Sequence, residues 1–167
     1  MKEIAIVDYN LGNITSIQRA LSFLGYSSLI TNDPEKILNS RKIILPGVGA
    51  FPTAMRYLQE YNLIDAIYQS VKKGNDILGI CLGMQLLMQI GHEFEKTKGL
   101  SLIDGEVVSI NNLLNEKLKL PFIGWYQLDK IKEDKIINNI NKDQWFYFVH
   151  SYMVKCNDKK NIIADYK

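Results

Sequence analysis

Cysteine is nearly absent from this chain: there are two, Cys81 and Cys156, far apart and with no CxxC pair. Histidine is equally scarce, at His92 and His150 only, so the Cys and His clusters that build zinc sites lack ligands and no metal is expected. Two unpaired cysteines point instead to reduced thiols and a cytoplasmic protein. Charge of one sign is also lacking. Twenty Lys and Arg stand against eighteen Asp and Glu, a net charge of +2, and the basic residues cluster no further than Lys72-Lys73 and Lys159-Lys160. Nucleic acid is therefore not an expected partner. Long apolar runs are missing too: the first, Ile4 to Val7, is broken by Asp8, and none reaches the length of a membrane span or an export signal.

What remains is 167 residues, 47% of them apolar and 23% charged, which suits one globular domain over residues 1–167 with a core of ordinary size. Its first half alternates short β-rich runs with helical patterns. Ile4 to Val7 reads as a strand, and Ile14, Ile17, Leu21 and Leu24 recur at helical spacing, with Asn13 suited to cap that helix and Gly25 to end it. Ser28 to Thr31 reads as a second strand, and Asp33-Pro34-Glu35 announces a short helix. Ile43 to Leu45 is the third strand. Pro52 then suits a helix start, and Leu63, Ile64, Ile67 and Val71 form an apolar stripe ending at Gly74. Ile77 to Ile80 follows as a buried strand, and an amphipathic helix carrying Leu86, Leu87 and Ile90 comes next. Nearly all-apolar strands separated by helices predict an α/β fold, a doubly wound, mostly parallel sheet flanked by helices. Beyond Gly105 additional strands are expected at Glu106 to Ile110, Ile123 to Leu128, Trp145 to Val149 and Ile162 to Tyr166.

Ligands of an open parallel sheet gather outside the carboxyl ends of its strands. Three of the four early strands end in unusual sequence: Asp8-Tyr9-Asn10-Leu11-Gly12, Pro46-Gly47-Val48-Gly49 and Gly79-Ile80-Cys81-Leu82-Gly83. The third is the most informative, because glycines on both sides of Cys81 at a strand-to-helix turn permit the tight elbow that presents a nucleophile. A thiol at a helix N-terminus also has its thiolate stabilised by nearby amides. Acyl chemistry needs donors for an oxyanion, which the Leu82 amide and the Gly47 to Gly49 loop can supply. Plainer readings exist: Cys81 as a core residue between packing glycines, the glycine loop as a tight turn, and Gln85, one helical turn after Cys81, as a surface residue. Met84, Met88 and the aromatic run Trp145 to Phe148 read as packing and interface surface, and no cofactor is implied.

The segments Val7-Asp8-Tyr9 with Gly12-Asn13, Leu45 to Phe51, Gly79 to Leu87, Gly124-Trp125 and Trp145 to Tyr152 together resemble class I glutamine amidotransferases, and among them the glutaminase subunits of imidazole glycerol phosphate synthase. The resemblance implies that Cys81 is the nucleophile and that Gly49 and Leu82 give the oxyanion amides. It also implies that Gln85, Glu93, His150, Ser151 and Tyr152 form the glutamine pocket, with Trp125 on the side facing a cyclase subunit of (β/α)₈-barrel type. Ammonia released from glutamine would pass to that partner.

The family completes its triad with a histidine and a glutamate around one proline near its C-terminus, and this sequence stops at Lys167 before such a motif. His92, eleven residues past Cys81, would lie about 16 Å along a continuous helix, and His150 belongs to the pocket segment. The expectation is a C-terminally incomplete domain that turns over little glutamine by itself. Phe122 and Tyr126 stand where the histidine-pathway subunits carry histidine and asparagine, which leaves open a glutaminase for sugar amidation in surface-polysaccharide synthesis; the missing histidine and glutamate leave open a non-catalytic partner-binding subunit.

Overall fold

The computed structural model describes residues 4–115 and 117–166. Its first half runs β1 (Ile4–Val7), α1 (Ile14–Phe23), β2 (Ser28–Thr31), α2 (Pro34–Leu38), β3 (Lys42–Gly47), α3 (Phe51–Glu60), α4 (Leu63–Lys72), β4 (Asp76–Cys81) and α5 (Leu82–Leu86). The four strands form one parallel sheet in the order β2-β1-β3-β4, so strand order reverses beside β1 and β3, where a crevice opens at the carboxyl ends. Local signals place the helices as read. Asn13 accepts from the Ser16 amide at the start of α1, and Asp33 caps α2 ahead of Pro34. Gly25, past the end of α1, has φ +83°, the left-handed geometry that stops a helix.

Strand alternation divides the core. Val7, Ile43 and Leu45 point to the face covered by α3, α4 and α5, where Phe51, Leu58, Leu63, Ile67 and Leu86 are fully buried; each such side chain contributes about 1.5–3 kcal/mol by leaving water. Ile4, Ile6 and Ile44 point the other way, against Ile14, Ile17 and Leu21 of α1. This second face is less completely covered. β4 is an edge strand rather than the buried strand expected from its composition: Leu78 and Ile80 are 39% and 37% exposed. They pair in register with Ile44 and Pro46 on the α1 side of the sheet, and α1 packs on β1 and β2, too far across to cover them.

The second half adds β5 (Ile90–Gly91), β6 (Thr97–Lys98), β7 (Gly105–Ser109), α6 (Ile110–Leu114), β8 (Phe122–Gln127), β9 (Asp129–Lys130), β10 (Trp145–His150), β11 (Tyr152–Cys156) and β12 (Ala164–Asp165). They make a four-stranded sheet β11-β7-β5-β6 and two antiparallel pairs, β10-β8 and β12-β9. The expected strand over Ile162 to Tyr166 shrinks to the two residues of β12. The expected amphipathic helix is also corrected. α5 stops at Leu86 and Ile90 lies in β5, because residues 99–103 return to take the last helical carbonyls: Leu100 N–H donates to Leu86, and Leu102 and Ile103 donate to Leu87.

Candidate active site

The turn from β4 into α5 is tightly constrained. Cys81 sits at φ 55°, ψ −118°, a conformation costing a non-glycine residue about 1–3 kcal/mol unless its surroundings hold it there. They do. A Cβ on Gly79 would come within 2.5 Å of the Met84 Cα, and one on Gly83 would run into the Leu45 carbonyl. Strand and helix backbones therefore touch directly at both glycines, and the Cys81 thiol is pushed out of the turn, exposed and unpaired. This is the geometry of a nucleophile elbow. With only five residues in α5, the helix dipole behind the thiol is short.

The end of β3 is locked onto this elbow. Gly47 pairs in register with Cys81. A Cβ there would lie 2.5 Å from the Tyr9 hydroxyl and 2.9 Å from the Gly83 nitrogen. Tyr9 is wholly buried, and its hydroxyl donates to the Pro46 carbonyl at 2.5 Å. Burial, and secondarily the neighbouring Cys81, push the Tyr9 phenol far above its ordinary range, so it stays a donor. Past this clamp Gly49 turns at φ +104°, bringing the loop over the thiol.

Cys81, Gly49, Leu82, Gln85, Glu93, His150, Ser151 and Tyr152 line one open cavity of about 290 Å³; every pocket residue expected from the sequence is there. Val48, Pro121 and Val149 complete it. Gln85 Nε2 donates to the Tyr152 carbonyl at 3.1 Å, and His150 Nδ1 meets the same carbonyl at 2.9 Å. His150 Nε2 lies 2.6 Å from the Tyr166 hydroxyl. Glu93 accepts the Phe51 N–H at 2.8 Å, which supplies α3 with the cap its own Ala50 lacks.

A class-I glutamine amidotransferase family model matches residues 5–165 of this chain. The chain belongs to that family. Among curated members, it is 46% identical to the imidazole glycerol phosphate synthase subunit HisH of Lactococcus lactis subsp. lactis, over 97% of this chain and 78% of that one. It is 44% identical to the HisH subunit of Sulfurimonas denitrificans, over 96% and 78%. Solved structures repeat the fold at lower identity. A glutamine amidotransferase crystal structure superimposes with TM-score 0.72 at 16% identity, covering 97% of this chain and 79% of that one. PurLQS from Thermotoga maritima does so at 0.66 and 20%, covering 99% and 75%.

In this amidotransferase the two histidines are both engaged away from the thiol. His92 is not on a continuous helix with Cys81, as the spacing argument supposed. It follows β5 and pairs with Glu106 at 2.8 Å on the surface. Trp125 is not in the cavity: it lies on the outward face of β8, 61% exposed, its ring 5.4 Å from that of Tyr147 on β10. Sequence reasoning assigned no role to Tyr9 or Tyr166. Tyr9 was within reach, since it lies two residues past β1 and beside the end of β3; the contact of Tyr166 with His150 joins residues 16 apart across β11 and β12 and leaves no local signal.

Proposed function

We propose that the chain is the glutaminase subunit of imidazole glycerol phosphate synthase, hydrolysing glutamine to glutamate and passing ammonia to a cyclase subunit in histidine biosynthesis, a cytoplasmic pathway. The observation that carries this reading is the placement of Cys81, at a strained positive φ, in the mouth of a cavity lined by Gly49, Leu82, Gln85 and His150. The identity to HisH subunits over nearly the whole chain supports the pathway against the sugar-amidating alternative.

In the proposed reaction the Cys81 thiolate adds to the carboxamide carbon of glutamine, forming a carbon–sulfur bond and an oxyanion. The Leu82 and Gly49 amides stabilise that oxyanion. The proton given up by the thiol goes to the amide nitrogen, and the intermediate collapses with loss of ammonia, leaving a glutamyl thioester; water then cleaves the thioester, its hydroxyl going to the carbonyl carbon to give glutamate and its proton restoring the thiol. Gln85, Glu93, Ser151 and Tyr152 hold the amino-acid end of the substrate. Neither histidine meets Cys81, and His150 has both ring nitrogens occupied, so His150 serves as a wall of the pocket rather than as the base.

The ammonia acceptor is proposed to dock as a (β/α)₈ barrel on the outward face of β8 and β10. Ile123, Trp125, Trp145, Tyr147 and Val149 are all exposed there, and Val149 and His150 of the same strand line the cavity. Such an aromatic patch is the kind of surface that buries binding hot spots. Two measurements test the reading: covalent labelling by an electrophilic glutamine analogue, which needs the nucleophile and the pocket but no turnover, and amide exchange of the chain mixed with the cyclase. Labelling at Cys81 that L-glutamine blocks, with protection over residues 122–127 and 145–149, is the expected result; labelling elsewhere, or protection on the α1 side, refutes it.

A further inference from the structure

The glutamine pocket is tied to a residue outside it. His150 Nε2 lies 2.6 Å from the Tyr166 hydroxyl, and its Nδ1 lies 2.9 Å from the Tyr152 carbonyl. That carbonyl also accepts Gln85 Nε2. A carbonyl only accepts, so the hydrogen bond from Nδ1 requires the proton to be on Nδ1. In the neutral ring Nε2 is then an acceptor, and the Tyr166 hydroxyl must donate to it. Desolvation, and secondarily Tyr126, raise the Tyr166 phenol above its ordinary range, which keeps that donor protonated. The ring is fixed by packing: Tyr166 stacks 4.1 Å from Phe148 and lies 5.4 Å and 5.5 Å from Phe122 and Tyr126.

We infer that Tyr166 is a positioning residue for the substrate pocket: its hydroxyl selects the Nδ1–H tautomer of His150, and that tautomer, together with Gln85, holds the Tyr152 carbonyl in place. Without the hydroxyl, the Nε2–H tautomer competes. Its bare Nδ1 would then face the Tyr152 oxygen, lone pair against lone pair, and the Tyr152 peptide and Gln85 would both shift. The effect falls on glutamine binding and not on the thiol, because Cys81 is set by Gly79, Gly83 and Gly47 on the other side of the cavity. The aromatic pair Phe122 and Tyr126 builds the socket that holds Tyr166.

The inference rests on the cavity being the glutamine site, and its test separates the two. In a Cys81→Ser background, which prevents turnover, L-glutamine affinity is measured by calorimetry and the His150 tautomer by imidazole nitrogen NMR. The substitutions are Tyr166→Phe, which keeps the stacked ring, and Tyr26→Phe, which removes an exposed hydroxyl just past the end of α1, outside the cluster. Tyr166→Phe is expected to shift His150 toward the Nε2–H tautomer and to weaken glutamine binding about five-fold, the scale of one lost hydrogen bond; Tyr26→Phe should do neither. An unchanged tautomer in Tyr166→Phe overturns the inference even if affinity falls, as does the shifted tautomer with unchanged affinity. A parent that takes up no glutamine refutes the glutaminase reading, and this assignment falls with it.

Discussion

Glu93, which lines the cavity, accepts the backbone N–H of Phe51 at 2.8 Å. A carboxylate from a loop after β5 thus caps α3, the helix that follows the glycine loop of β3. An unpaired amide at a helix N-terminus favours an anion, so the residue assigned to the substrate pocket by resemblance is also holding the backbone that leads out of it.

The first prediction follows. Glu93→Ala should lower stability by about 1 kcal/mol, the usual cost of a lost N-cap, and should also weaken glutamine binding as the Val48 to Ala50 loop loosens. Glu93→Gln keeps an acceptor oxygen and should recover most of the stability. Urea midpoints and glutamine affinity of both variants check this. Equal midpoints for wild type and Glu93→Ala would show that the cap contributes nothing.

Gly83 packs on the Leu45 carbonyl with no room for a methyl group. Both contacting groups are backbone within the β3, β4 and α5 unit, so neither can swing aside as a flexible side chain would. Gly83→Ala should cost about 1–3 kcal/mol, the range of core overpacking, and should suppress thiol reactivity by shifting the elbow. Gly83 lies within α5 and outside the left-handed region, so alanine carries no conformational penalty there and any loss reports the clash. A Gly83→Ala protein as stable as wild type would contradict the close packing.

Much of this site was legible in the sequence because its causes are local. Gly79, Cys81 and Gly83 are confined to five residues, and Asn13, Asp33 and Gly25 mark helix ends by their own chemistry. The misreadings came from tertiary contacts. Leu86, Leu87 and Ile90 have helical spacing, yet the return of residues 99–103 onto the Leu86 and Leu87 carbonyls ends the helix. Ile77 to Ile80 is apolar enough for a central strand, yet among the described residues β4 pairs only with β3, which leaves it at the edge of the sheet. The capping of α3 by Glu93 joins residues 42 positions apart, and no periodicity reports such a contact.

The two cysteines differ in ways that predict their chemistry. Cys81 is exposed at the elbow, whereas Cys156 is part-buried at the end of β11, and burial pushes its thiol up. A thiolate is the reacting species, so iodoacetamide near neutral pH should modify Cys81 about ten-fold faster or more. L-glutamine should protect Cys81 and leave Cys156 unaffected. Peptide mapping by mass spectrometry reads both rates, and faster modification of Cys156 would remove the basis for the site.

The last prediction concerns Tyr9 and alkaline pH. The Tyr9 phenol is raised well above its ordinary value of about 10, mainly by burial. Below pH 10 both folded and unfolded chains keep the proton, and the contribution of Tyr9 to stability is constant. Above it the unfolded chain releases the proton and the folded chain does not, so the unfolded state binds fewer protons and stability falls with rising pH, by at most about 1.4 kcal/mol per pH unit for one group. Tyr9→Phe removes this dependence together with the hydrogen bond to Pro46. It should therefore be less stable than wild type at neutral pH, by about 1–3 kcal/mol for an unpaired buried carbonyl. The gap should narrow as pH climbs past 10. Urea unfolding of both proteins between neutral pH and the alkaline limit checks it. A gap that stays constant across that range would mean that the Tyr9 hydroxyl ionises as readily in the fold as out of it, and that its clamp on the β3 loop is weaker than its geometry implies.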